Sequence, residues 1–132
     1  MKTFEKQYAI KTGPTSENDW YTTRAFAEIM SNAELGPKIV DIIETRNEGV
    51  LVMEHYDTTY DEFFHKRGII NPQIDRKINT MIARMHRMNL YHGDLHGENI
   101  VLRLDEEAED GIADVKFIDF DNMFYLTSID EP

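Results

Sequence analysis

The chain has 132 residues, a length that suits one domain with a sizeable buried core. It carries 14 Lys and Arg against 25 Asp and Glu, a net charge of -11, and is therefore not expected to coat nucleic acids. It has no cysteine, which excludes disulfides, thiol catalysis and Cys-zinc sites. With 41% hydrophobic and 30% charged residues, it has the composition of an ordinary globular domain.

The sequence contains no segment that predicts a membrane partner. No apolar run approaches the roughly 18 residues that a spanning helix needs. The first six residues include no apolar segment of the kind found in signal peptides. We therefore expect an intracellular, cytoplasmic protein.

The first 54 residues predict one helix among three strands. Ser16 and Asp19 are three residues apart and predict a capping pair at the start of the helix. Gly36 and Pro37 predict its end. The predicted strands are at 7–11, 38–43 and 49–54, and the predicted helix is at 17–33.

The remaining residues predict two helices, a polar loop and a hairpin. Thr58 or Thr59 can cap a short helix that ends at Gly68, and Pro72 opens a longer helix that Asn89 can terminate. The apolar stripe of the longer helix comprises Ile74, Ile78, Met81, Ile82 and Met85. The polar loop is at 92–99, and the strands of the hairpin are at 100–104 and 114–118. This order of elements predicts an α+β fold in two small lobes.

Three oxygen-bearing side chains surround the predicted hairpin. Asp94 and Asn99 are five residues apart in the polar loop, and Asp119 follows the second strand. Carboxylate and carboxamide oxygens are ligands that suit Mg²⁺, and substrate phosphates commonly complete its coordination sphere. In so acidic a chain, a phosphate ligand is expected to arrive with a metal cation.

These residues resemble the catalytic elements of the protein-kinase-like superfamily. The segment from His92 to Asn99 is similar to its catalytic loop, H-x-D-x-x-x-x-N, with Gly93 where typical Ser/Thr kinases have Arg. The segment 118–121 is similar to the D-F-G metal-binding motif, with Asp121 in place of Gly. The H-G-D-L-H form at 92–96 also resembles aminoglycoside and choline phosphotransferases. The segment 82–86, running into the loop at 92–94, resembles RIO kinases and the small atypical kinase of the KEOPS complex.

Three further elements match the same superfamily in the same order along the chain. The segment 8–11 resembles the V-A-I-K strand that ends in the nucleotide-binding Lys, here Lys11. Glu28 lies on the next helix, where the family has the glutamate that pairs with this Lys. The segment from Met53 through Glu54 and His55 to Tyr56 resembles the hinge that receives adenine.

The resemblance implies a minimal protein-kinase-like fold with an N-lobe at 1–54 and a reduced C-lobe at 55–132. It also implies transfer of the γ-phosphate of ATP to a protein or small-molecule hydroxyl, with Mg²⁺ as cofactor. Asp94 would accept or orient the hydroxyl proton, and His92 would brace the loop. Lys11, positioned by Glu28, would hold the α- and β-phosphates, and His96 would lie near the γ-phosphate. The metal ligands would be Asn99 and Asp119, and the adenine-pocket residues would be Met53, Glu54, His55 and Tyr56.

The sequence also departs from the superfamily. No glycine precedes Lys11, so a Gly-rich phosphate loop is missing, and only eleven residues follow Asp121. An alternative hypothesis is therefore a pseudokinase-type module that binds a larger kinase or complex, and self-association is compatible with either function. A third interpretation is a metal-dependent hydrolase in which His92, Asp94 and His96 hold a transition metal.

Overall fold

The structure, a computed structural model, describes residues 8–68, 72–108 and 111–126. The chain divides into two units, Met1–His55 and Tyr56–Pro132. Both combine helices with small antiparallel sheets, which confirms the predicted α+β class. Within the described ranges, no helix has the length and apolarity needed to cross a bilayer.

The first unit is a three-stranded antiparallel sheet with one helix. Its elements are β1 (Tyr8–Gly13), α1 (Asn18–Asn32), β2 (Ile39–Glu44) and β3 (Gly49–Glu54). The strand order is β1-β3-β2, so β3 is central and its Leu51 is fully buried. The three predicted strands are confirmed to within two residues, although Gln7 lies outside the described residues.

The predicted extent of α1, residues 17–33, is confirmed to within one residue at each end, but the predicted capping pair is wrong. The residue that caps the helix is Glu17 rather than Ser16, and its side chain makes no capping hydrogen bond. The helix ends before Gly36, because Glu34 adopts a left-handed conformation with φ 61°. The Leu35 amide then donates to the Met30 carbonyl at 2.9 Å, and Leu35 is completely buried. Burial of Leu35 therefore offsets the backbone strain at a residue other than glycine.

The indole of Trp20 joins α1 to the sheet. A Cβ atom added at Gly49 would overlap the Trp20 ring, so the first residue of β3 must be glycine for the helix to pack this closely. The Trp20 indole N–H donates to Glu44 at the end of β2, at 3.1 Å. Glycine therefore allows the aromatic ring to lie directly over the backbone of the central strand.

The second unit contains two helices, a three-stranded sheet and a two-stranded ribbon. Its elements are β4 (Thr58–Thr59), α2 (Tyr60–Arg67), α3 (Pro72–Arg87), β5 (Leu90–Tyr91), β6 (Ile100–Leu104), β7 (Ile112–Phe117) and β8 (Phe124–Tyr125). The sheet order is β4-β6-β7, and β5 pairs with β8 in the ribbon. The sequence predicts β6 and β7 but not β4, β5 or β8.

The predicted ends of α2 and α3 are confirmed. The Thr59 hydroxyl accepts the Glu62 amide at 3.1 Å at the start of α2, and Gly68 ends it in the left-handed region. Asn89 follows α3 with φ 62°, as expected of a left-handed terminator. Of the predicted apolar stripe, Ile82 is half-buried, while the buried members are Ile74, Ile78, Met81 and Met85.

The Tyr60 hydroxyl links α2 to α3 and makes stability sensitive to high pH. It donates to the Asp75 carboxylate at 2.7 Å, and this hydrogen bond, with some desolvation, raises the pKa of Tyr60 from 10.0 to about 12. The hydrogen bond therefore stabilises the fold below pH 10, and its contribution is lost as the pH rises from 10 through about 12.

We expect Tyr60→Phe to lower the free energy of unfolding by about 1 kcal/mol at pH 8. The difference from wild type should shrink as the pH approaches 12, which urea denaturation at several pH values measures. Tyr21→Phe is the matched control, since Tyr21 is exposed and a surface change of this kind costs little. A difference at Tyr60 that is constant from pH 8 to pH 12 would contradict this account.

Candidate functional site

The hairpin of β6 and β7 brings two predicted metal ligands to the same end of the second unit. Asn99 directly precedes β6, and Asp119 follows β7 by two residues. Antiparallel pairing matches Ile100 with Phe117, and the Asn99 carbonyl accepts the Ile118 amide at 2.9 Å. The backbones of Asn99 and Ile118 are therefore directly hydrogen-bonded, and Asp119 is the next residue.

His92 fastens the predicted catalytic loop to the chain that follows β7. The ring is 2% exposed, and its Nδ1 accepts the Asp94 amide at 3.2 Å. This contact assigns the proton to Nε2, which lies 2.7 Å from the Ile118 carbonyl and donates to it. The prediction that His92 braces the loop is confirmed, and one ring positions the backbone at Asp94 relative to that at Ile118.

Asn99 holds the backbone on the other side of Asp94. Its amide nitrogen donates to the Asp94 carbonyl at 2.8 Å, although the two residues are five positions apart. This hydrogen bond fixes the orientation of a buried carboxamide and leaves its oxygen for another ligand. The Asp94 carboxylate itself is 45% exposed. The loop thus has a rigid backbone that presents an accessible carboxylate.

Asp119 has a backbone conformation that is unusual for its type. Its φ is 62°, in the left-handed region that residues other than glycine rarely adopt, although Asp and Asn do so more often than most. Such strain persists where surrounding contacts enforce it, and it is concentrated at functional sites. Here the contacts are the Ile118 hydrogen bonds on one side and buried Phe120 on the other.

His96 lies beside Asp94 on the rim of the loop. Its Nδ1 accepts the Glu98 amide at 3.3 Å, which caps the 3₁₀ turn Gly97–Asn99. Its Nε2 lies 3.3 Å from the side-chain amide nitrogen of Asn99 and 3.6 Å from Asp94 Oδ1. The second distance is too long for a hydrogen bond but within range of a charge interaction when His96 is protonated. His96 is 48% exposed, so solvent also reaches the ring.

Gly93 has a structural role in this loop that its sequence motif does not by itself reveal. Its φ is 85°, and an added Cβ atom would overlap the carbonyl oxygen of Asn122. The loop therefore packs directly on the turn that follows Asp119, and a side chain at 93 would separate them. The positive φ and the close approach both depend on tertiary structure, and only the Gly-for-Arg difference in the motif signals them.

The first unit contains the predicted phosphate-binding lysine. Lys11 is half-buried in β1 and pairs in register with fully buried Leu51, so the two side chains point to the same face of the sheet. Glu28 lies on α1, where its carboxylate is 3.4 Å from the Arg24 guanidinium and 43% exposed. The predicted pairing of Lys11 with Glu28 stays a prediction.

Arg24 also binds Glu44 at the end of β2, which ties α1 to the sheet a second time. The hydrogen bonds from Arg24 and then Trp20 lower the pKa of the Glu44 carboxyl, and the same contact with Glu44 raises the pKa of Arg24. The two residues therefore remain charged near neutral pH. This cluster stabilises the attachment of the helix that carries Glu28.

The four residues of the predicted hinge differ in exposure. Met53 and Glu54 end β3 half-buried, the Glu54 amide donates to the Lys38 carbonyl at 3.0 Å, and His55 is exposed. Tyr56 belongs to the second unit, where it is 7% exposed. Their contact with adenine stays a prediction.

The side chain of Tyr56 has structural partners. Its hydroxyl donates to Asp114 at 2.8 Å, and the Arg103 guanidinium lies 4.4 Å from the centre of its ring. A cation over an aromatic face is a favourable contact. These interactions hold the start of the second unit against β6 and β7.

The structure contradicts the metal-hydrolase interpretation. Both nitrogens of the His92 ring are engaged in hydrogen bonds within the loop, so neither is available to a metal ion. Across the ranges that the structure describes, no three His, Asp or Glu side chains are grouped so that they could hold a metal. The pair of one carboxamide and one carboxylate at Asn99 and Asp119 suits Mg²⁺, which one or two carboxylates and substrate phosphates commonly bind.

A comparison with known protein families identifies the family and superfamily of the chain. Residues 22–124 match the family described as the lipopolysaccharide kinase (Kdo/WaaP) family. The chain belongs to this family. It is a protein-kinase-like family, which agrees with the resemblance that the catalytic loop predicted and with a small α+β kinase-like fold. A comparison with individually curated proteins gave no match.

The matched range includes every predicted site residue except Lys11, which precedes it. It therefore contains the braced loop at 92–99, Asp119 and Glu28. The match supports a kinase and a transferase, and it supports the broad superfamily rather than the RIO, KEOPS or aminoglycoside phosphotransferase branches.

Proposed function

We propose that this chain is an ATP- and Mg²⁺-dependent phosphotransferase that phosphorylates a hydroxyl group of a sugar. The observation that carries the proposal is the loop at 92–99, where His92 and Asn99 fix the backbone around an accessible Asp94 carboxylate. A fixed carboxylate of this kind can orient an attacking hydroxyl. Positioning and electrostatic stabilisation supply most of the catalysis in phosphoryl transfer.

Asn99 and Asp119 are the residues that would hold Mg²⁺. The Asn99 carboxamide oxygen is free of the hydrogen bond that its nitrogen makes, and both residues adjoin the end of the hairpin. When bound, Mg²⁺ neutralises charge on the phosphates. In a chain of net charge -11, that neutralisation is needed for the anionic nucleotide to bind.

We assign the acceptor proton to Asp94. Its carboxylate would accept or orient the proton of the attacking hydroxyl, and nearby His96 would contact the transferred phosphate. Their proximity supports this pairing, because His96 Nε2 lies 3.6 Å from Asp94 Oδ1. The roles of Lys11 and Glu28 with the phosphates, and of residues 53–56 with adenine, rest on the motif resemblance.

The name of the matched family supports a saccharide acceptor rather than a protein hydroxyl. The more specific similarity to RIO, KEOPS-associated and aminoglycoside kinases rests on the motif alone, and we propose none of these branches.

Transfer of label from γ-labelled ATP tests the proposal directly. The acceptors to compare are lipopolysaccharide core oligosaccharide, glycerol and a generic protein substrate such as casein. We expect label in the oligosaccharide, in the presence of Mg²⁺. Labelling of casein in preference to the sugars would contradict the proposed acceptor, and labelling of none would favour the binding-module alternative.

Thermal unfolding with ATP tests the metal ligands without relying on turnover. A ligand that binds the native state at about 100 times its Kd stabilises that state by about 2.7 kcal/mol. We expect ATP to raise the Tm of the wild type in the presence of Mg²⁺ and much less in its absence. The Mg²⁺-dependent part of the shift should disappear in Asp119→Asn.

The Asn substitution suits this test because Asn tolerates the left-handed conformation that residue 119 adopts. The Tm without ligand should therefore change little, so that a lost shift reports lost binding. Glu98→Gln is the matched control, since it removes one exposed carboxylate from the same loop. An equal Mg²⁺-dependent shift in wild type and Asp119→Asn would contradict the assignment of this ligand.

A further inference from the structure

A column of three aromatic rings adjoins the proposed catalytic loop. The His86 and Tyr91 rings stack with their centres 4.4 Å apart, and Tyr91 and Phe124 stack at 5.6 Å. The planes are inclined by 25° and 16°, so the three rings lie nearly face to face. The ring column links the end of α3 to both strands of the ribbon.

The ribbon fixes the position of this column relative to the loop. Register pairs Tyr91 with Phe124, and a further hydrogen bond joins the Leu126 amide to the Asn89 carbonyl at 3.0 Å. Tyr91 directly precedes His92 and is three residues before Asp94, which limits the distance between their Cα atoms to about 11 Å. The ring column is therefore within the length of a short oligosaccharide from the proposed catalytic carboxylate.

The end of the column at Phe124 is open to solvent. Its ring is 44% exposed although Tyr91 covers one face, and Tyr125 and Leu126 beside it are about as exposed. These three consecutive residues therefore present exposed apolar surface at the end of the column. The ribbon and the stack with Tyr91 hold the Phe124 ring in one orientation.

We propose that the open face of Phe124 is a stacking surface for a sugar ring of the phosphate acceptor. This inference rests on the proposed function and extends it to a named contact. One face of a pyranose ring presents several C–H groups, which pack on the electron-rich face of an aromatic ring. A ring held by stacking also loses little conformational freedom when a ligand binds.

The stacking surface is close enough to the catalytic loop to position the acceptor for the reaction. A sugar held on Phe124 would extend a neighbouring hydroxyl towards Asp94, so that binding energy positions the acceptor rather than acting on the reacting atoms. Phe124 is in this sense a positioning residue. Because Tyr125 alternates with Phe124 along β8, its side chain points to the other side of the ribbon and provides a matched control.

The first experiment measures binding alone. Calorimetric titration with lipid-free core oligosaccharide compares wild type with Phe124→Ala, Phe124→Leu, Phe124→Trp and Tyr125→Ala. We expect Kd to rise roughly three- to tenfold in Phe124→Ala, the loss expected for one aromatic stacking contact. Phe124→Leu should bind as weakly as the Ala variant, while Phe124→Trp and Tyr125→Ala should bind at least nearly as well as wild type.

Other outcomes overturn the inference. Equal binding by wild type and Phe124→Ala would show that the ring does not contact the sugar, and wild-type affinity in Phe124→Leu would show that only apolar area matters. A concentration-dependent dimer that Phe124→Ala abolishes, with no change in sugar affinity, would assign the patch to self-association.

Kinetics separate this inference from the proposed function. If the enzyme transfers phosphate, Phe124→Ala should raise KM for the oligosaccharide and leave KM for ATP unchanged, while glycerol phosphorylation should be unaffected. Transfer to the oligosaccharide with the same KM in both proteins would overturn the stacking surface but leave the function in place. Sugar binding that depends on Phe124, without any phosphate transfer, would support the stacking surface and contradict the proposed function.

Discussion

Asp94→Asn is expected to lower the rate of phosphate transfer by about 10²- to 10⁴-fold, the range typical of a lost general base. Asparagine has the same shape but cannot accept the hydroxyl proton. The backbone around residue 94 is held through its own amide and carbonyl groups, by His92 and Asn99, and these contacts do not involve the carboxylate. The folded loop should therefore be retained while the chemistry is lost.

The control for this variant is Glu98→Gln, which removes the same charge from an exposed side chain of the same loop. Initial rates under saturating ATP and acceptor, together with the Tm of each variant, separate chemistry from folding. We expect Glu98→Gln to retain nearly the wild-type rate. If Asp94→Asn keeps a third or more of the wild-type activity at an unchanged Tm, the proposed role of Asp94 is wrong.

The sequence predicts most of the regular structure because local chemistry specifies it. Thr59 and Gly68 delimit α2 through a hydroxyl cap and a left-handed end, and Asn89 ends α3 in the same way. Each of these features depends on residues only a few positions apart. The details at the ends of α1 do not follow from such local signals: Glu17 rather than Ser16 precedes the helix, and the left-handed Glu34 after it is followed by the completely buried Leu35.

The candidate site is predicted only in part for a related reason. The spacing of Asp94, Asn99 and Asp119 identifies these side chains as a set, and the structure adds the contacts that hold the loop. No local pattern indicates that Asp119 is left-handed. The two-residue strands β4, β5 and β8 are too short to show a hydrophobic period, yet β5 and β8 create the ring column.

The structure explains why residue 93 is a glycine. Typical Ser/Thr kinases have Arg at this position of the catalytic loop, where this chain has Gly. The structure shows that the loop and the turn at Asn122 are in direct contact at this point. Any larger residue would have to move one of the two segments that carry Asp94 and Asp119.

Gly93→Ala should therefore destabilise the protein by about 3 kcal/mol, and Gly68→Ala by only about 1 kcal/mol. Both glycines have positive φ, 85° and 63°, so both variants incur backbone strain. Among the described residues, an added Cβ at Gly68 has no heavy atom within 4 Å, whereas at Gly93 it overlaps the Asn122 carbonyl oxygen, and the carbonyl carbon is 3.1 Å away. Urea denaturation measures the loss of stability in each variant. The difference between the two losses therefore gives the cost of the close approach to Asn122, separate from the cost of the left-handed conformation. Equal losses of stability would show that the turn at Asn122 yields freely, and the loop would then not depend on this contact to position Asp94.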